Sequence, residues 1–69
     1  MKIALNDYQG ALVDCNKAID LNINDKKAFF TRGMAKNGLG DNSDACLDWS
    51  KAKELGYIQA DSYLRKFCK

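Results

Sequence analysis

Histidine is absent from the 69 residues, and with it goes the commonest general acid and base of enzyme active sites. Proline is absent too, so nothing breaks a helical run from within. No apolar stretch approaches the roughly 18 residues of a membrane span. The N-terminus shows no succession of charged region, apolar stretch and cleavage site, so no export signal is expected. An excess of one charge is also lacking: eleven basic and nine acidic residues, interspersed, leave a net charge of +2. A nucleic-acid footprint needs a basic stripe. The one local cluster, Arg65-Lys66 with Lys69, suits the C-terminal end of a helix instead. Cysteine is scarce and odd in number. Cys15, Cys46 and Cys68 are far apart, unlike the close pairs of a structural zinc site. Free thiols, buried or half-buried, are therefore expected, and with them a reducing, cytoplasmic setting. Neither metal nor cofactor is expected.

What the chain does contain is a repeat. Sliding it against itself until Lys2 falls on Lys36 also pairs Leu5 with Leu39, Asp7 with Asp41 and Ala11 with Ala45. Asp14 then meets Asp48, Lys17 meets Lys51, Ala18 meets Ala52, and Leu21 meets Leu55. Within each unit the apolar period is helical: Ala11, Cys15 and Ala18 stand at i, i+4 and i+7, as do Ala45, Trp49 and Ala52. Asn22-Ile23-Asn24-Asp25 separates two such runs and offers Asn24 or Asp25 as an N-cap. Gly38-Leu39-Gly40-Asp41 can end one helix in a left-handed turn and cap the next at Asp41 or Asn42, and Gly56 closes a third run. Helices are expected at 8–21, 26–38, 42–55 and 59–68.

The residues Ala28-Phe29, Gly33, Gly40-Asp41, Ala45, Trp49 and Ala52, in a chain that repeats at this interval, resemble the tetratricopeptide signature, whose period is about 34 residues. The resemblance covers nearly the whole chain. It implies an all-α fold, an antiparallel helix-turn-helix repeat stack (an α-solenoid fragment). About one and a half repeats are expected: a partial first repeat at 1–25, a complete one at 26–59 and a C-terminal capping helix at 60–69. Gly33 and Ala45 would let the helices of one unit approach, and Phe29 and Trp49 would fill the space between units. The proline usual after the second helix is Ile23 in one unit and Tyr57 in the other, and Phe67 takes a glycine position. Phe67 is expected to fold back onto the end of the stack. The run from Ala45 to Ala52 with Glu54-Leu55-Gly56-Tyr57 is similar to C-terminal repeats of bacterial members.

The resemblance implies binding rather than catalysis. Its concave groove would fall on Lys27, Phe30, Thr31, Met34 and Asn37, joined by Leu64 and Arg65, and would receive a protein or peptide partner. Against this stands the plainer expectation that Phe30 and Met34 serve as core. Thr31 and Met34 do not suit a carboxylate clamp for chaperone tails. Too few residues precede helix 8–21 for a full antiparallel partner, so an uncovered apolar face is expected at Leu5, Ala11, Leu12, Cys15, Ala18 and Ile19. That face suggests a homodimer, with helices exchanged if Leu5-Asn6-Asp7 continues as helix. The alternative is a structural end-piece of a longer array.

No catalytic pattern competes with this. Asp44 and Asp48 read as a solvated face, with Asp14–Lys17 and Asp48–Lys51 as surface i, i+3 pairs. Cys46 has no accompanying base, and Gly38 and Gly40 form no phosphate-binding loop. The chain is expected not to be an enzyme, and to bind neither nucleic acid nor membrane.

Overall fold

A computed structural model describes residues 7–68, and these form four helices with no strand among them. They are α1 (Tyr8–Leu21), α2 (Lys26–Gly38), α3 (Asn42–Glu54) and α4 (Gln59–Phe67). Their starts follow from capping. The Asp7, Asp25 and Asp41 side chains accept hydrogen bonds from the backbone N–H groups of Gly10, Ala28 and Asp44, at the same spacing in each case. Asp7 therefore caps α1, which starts at Tyr8 as expected, so the helix does not continue back through Asp7; Leu5 and Asn6 lie outside the described residues. The exits use glycine where the chain turns left-handed, at Gly40 (φ 90°) and Gly56 (φ 108°). Between α1 and α2 an Asn22 side chain accepts from the Asn24 N–H, a turn that needs no glycine.

Each helix packs antiparallel on the next, as short connections require. Arg32 meets Asp48 and Lys36 meets Asp44 across α2 and α3, while Lys53 meets Asp61 across α3 and α4. The core lies at α2, α3 and α4, where Phe29, Ala45, Trp49, Ala52 and Ala60 are buried together. Trp49 is completely buried. Its indole N–H donates to the Phe30 carbonyl at 3.2 Å, which satisfies the one polar atom such burial puts at risk. Gly33 makes this approach possible, because a Cβ there would stand 2.6 Å from Trp49 Nε1. Phe67 folds back as expected, its ring centroid 5.5 Å from that of Trp49.

Two expectations are corrected. Cys46 and Cys68 are not free thiols: they form a disulfide with Cα atoms 6.0 Å apart, tying α4 to α3, and Cys15 alone is free and buried. The premise of a reducing compartment thus fails for two of the three cysteines. Asp48 does not lie on a solvated face either. It is buried, and its partner is not Lys51, which pairs with Glu54. The i, i+3 spacing looked superficial, yet Asp48 points into the α2–α3 seam, where Arg32 and Lys36 supply the opposite charge.

Candidate functional site

The feature that stands out is an ion-paired, tightly packed seam on one side of the row and an open one on the other. In the closed seam, Arg32 donates from Nε and Nη2 to the two Asp48 carboxylate oxygens at 2.9 and 2.8 Å. This bidentate geometry is the strongest arrangement available to the pair. It raises the Arg32 pKa above its ordinary value, the hydrogen bond to Asp48 being the main cause. The remaining Arg32 nitrogen reaches Asn16 on α1 at 2.8 Å, so one guanidinium links three helices. Lys36 adds a second cation 3.6 Å from Asp48.

On the other side, α1 and α2 form a groove that no other helix of the described residues enters. One part, of 270 Å³, is lined by Asp14, Cys15, Ala18, Lys27, Ala28 and Thr31, with Asp25 at its end. A second part, of 190 Å³, continues past Thr31 between Tyr8, Ala11, Met34, Ala35, Asn37 and Gly38. Ala11, Asp14, Cys15 and Ala18 stand one repeat before Ala45, Asp48, Trp49 and Ala52. They are thus the α1 counterparts of the residues on which α2 lies in the closed seam. Asp14 is exposed and makes no ion pair with a described residue, Lys17 included. Burial raises the Cys15 thiol pKa, an effect that Arg32 partly offsets; such a thiol is a poor nucleophile.

The expected groove residues separate into two groups. Lys27, Thr31, Met34 and Asn37 line the α1–α2 groove. Phe30 does not: it packs against Tyr57 and Tyr63, with centroids 4.8 and 5.0 Å away. Leu64 packs against the core, and Arg65 is engaged with Asp61 at 3.0 Å, far along the chain from the other set. Of the expected self-association face, Ala11 and Cys15 are buried, while Leu12 and Ile19 are half-buried and Ala18 borders the open groove. Leu5 lies outside the described residues. Arg32, Tyr8 and Asn16 join the site without a local signal in the sequence.

Among the described residues no group of three or more His, Cys, Asp or Glu side chains could hold a metal. No helix of these residues is long and apolar enough to cross a membrane. No family model matches the chain, and no solved structure matches it.

Proposed function

We propose that this chain is a protein-interaction and assembly module of the tetratricopeptide type, with no catalytic activity, and that it self-associates through the α1 side. One observation carries the reading. The α1–α2 groove presents, residue for residue, the alanines and the carboxylate that α3 presents to α2, but none of the described helices occupies it. A surface built to take a helix and left without one is a binding surface. A homodimer is the simplest product. Capping of α1 at Asp7 favours docking of intact copies over an exchange of helices. Ala11, Cys15 and Ala18 contribute the apolar part of the face and Lys27, Thr31, Met34 and Asn37 border it from α2, whereas Ile19 packs against the Trp49 core instead.

The second reading, an end-piece that terminates a longer array, draws on the disulfide that pins α4 across the far end. The two readings separate by light scattering of this chain over a wide concentration range. Self-association predicts a mass that rises with concentration. A constant monomer mass, together with a gain in stability when a further repeat is fused upstream, would establish the end-piece. The Cys46–Cys68 bond favours an oxidising compartment over the cytoplasmic placement that free thiols implied.

A further inference from the structure

The two ends of the helix row carry opposite halves of one contact. At its centre α2 meets α3 through Arg32 on Asp48 and Gly33 against Trp49. The α3 pair recurs one repeat earlier as Asp14 and Cys15 on α1, and the α2 pair recurs one repeat later as Lys66 and Phe67 on α4. The charges keep their sense, carboxylate on one side and cation on the other. The sizes are exchanged. Where the centre sets a glycine against an indole, the ends set a phenyl ring against a small thiol, so the summed volume suits the same helix spacing.

The charged member of each half, Asp14 and Lys66, is open to solvent, while Cys15 is buried at the groove floor and Phe67 leans on Trp49. Asp14 borders the 270 Å³ part of the α1–α2 groove. On α4, Ser62, Tyr63, Lys66 and Phe67 line a depression of 410 Å³. Lys66 is exposed, and no carboxylate of the described residues pairs with it. A third pair agrees. Phe30 touches Tyr57 at 4.8 Å between centroids, and the corresponding residues at the ends are Leu64 on α4 and Ile23 beside α1, the latter 69% exposed.

We propose that copies of this chain associate head to tail, with α4 of one copy seated in the α1–α2 groove of the next. The proposal rests on the self-association reading above, specifies its interface and puts an open row of copies in place of the homodimer. Lys66 pairs with Asp14 of the next copy, Phe67 covers Cys15, and Leu64 lies on Ile23. The joined α4 and α1 then make a helix pair of the same kind as α2 and α3. Two different patches meet, so the contact does not close on two copies, and the assembly lengthens with concentration instead of stopping at a dimer.

Charge reversal tests this directly. Asp14→Lys and Lys66→Asp change exposed side chains, and circular dichroism should show both variants folded. Each alone sets like charges against each other and should raise the concentration for half-association by about tenfold. Mixing the two variants, or combining both changes in one chain, should restore assembly, since every contact again joins a lysine to an aspartate. The neutral changes Asp14→Asn and Lys66→Gln should each give a smaller loss, about threefold, which mixing repairs at only every second contact. Light scattering reads all of these. If Lys66→Asp and Lys66→Gln assemble like the unaltered chain while Asp14→Lys does not, the head-to-tail contact is wrong and α1 pairs with something other than α4, leaving self-association intact. An unaltered chain that stays monomeric throughout overturns both.

Discussion

α3 and α1 share sequence at their key positions and differ in what surrounds them. Each presents an alanine, an aspartate and a second alanine at the same spacing, on a helix that begins with an aspartate cap. On α3 these residues are sealed by α2: Ala45 and Ala52 are completely buried, and Asp48 is gripped by two cations. On α1 the same pattern borders an open groove, and Asp14 faces solvent. The difference teaches that the aspartate is not a surface residue by nature. At the same helical position it is buried where Arg32 and Lys36 face it, and exposed where no cation of the described residues does. The central residue diverges, Trp49 against Cys15, because a filled seam needs volume that an open one does not.

The sharpest way to break this comparison is to remove its centre. Trp49→Ala should cost about 3–5 kcal/mol, enough to unfold much of so small a domain, whereas Cys15→Ala should cost less than about 1 kcal/mol. Urea denaturation followed by circular dichroism compares them; similar losses would mean that α1 is as tightly packed as α3. Next in size is reduction of the disulfide. A bridge with a sequence separation of 22 contributes about 3 kcal/mol in the chain-entropy view, so a reductant should lower the melting temperature of the chain. The Cys46→Ser/Cys68→Ser variant should already melt at that lower temperature and be insensitive to reductant.

The aspartates give a third, smaller contrast. Asp48→Asn leaves Arg32 without its charged acceptor and should cost about 1.5–3 kcal/mol, while Asp14→Asn should change monomer stability by less than about 0.5 kcal/mol. Equal effects would show that Asp14 already has a partner. The smallest effect concerns pH. Lys53, chiefly through its hydrogen bond to Asp61, holds that carboxyl below the ordinary carboxylate range, with Arg65 assisting. A lowered folded-state value means that the contribution is complete above the unfolded pKa of about 4 and fades as pH falls through the folded value. Titration by NMR should show Asp61 protonating later than a free aspartate, and Lys53→Ala should move it back toward the ordinary value.

Much of the architecture was legible because the chain repeats itself and punctuates its helices with aspartate and glycine. Asp25 and Asp41 were readable as caps, and the four helices lie within a residue of the expected bounds. The small-residue logic of Gly33 and the return of Phe67 onto the stack were readable too. Asp48 was not, because helical spacing alone cannot tell a carboxylate aimed at a neighbouring helix from one aimed at water. Arg32 gave no local signal, since its role exists only across a 16-residue separation. Cys46 and Cys68 became a pair only when the turn at Gly56 folded α4 back along α3. Of the groove, Lys27, Thr31, Met34 and Asn37 were implied together by the tetratricopeptide resemblance, and all four line it. Phe30 was lost to the core because Tyr57 and Tyr63 close over it.

The Cys46–Cys68 bond has a mechanical consequence. A short terminal helix held by side-chain contacts alone would peel away one turn at a time when its end is pulled. Here tension applied beyond Cys68 crosses directly to Cys46 near the start of α3, and residues 47–67 between the two cysteines carry none of it. Load borne at that end therefore bypasses both α4 and the Trp49 core, and the last helix can act as a handle without being unravelled.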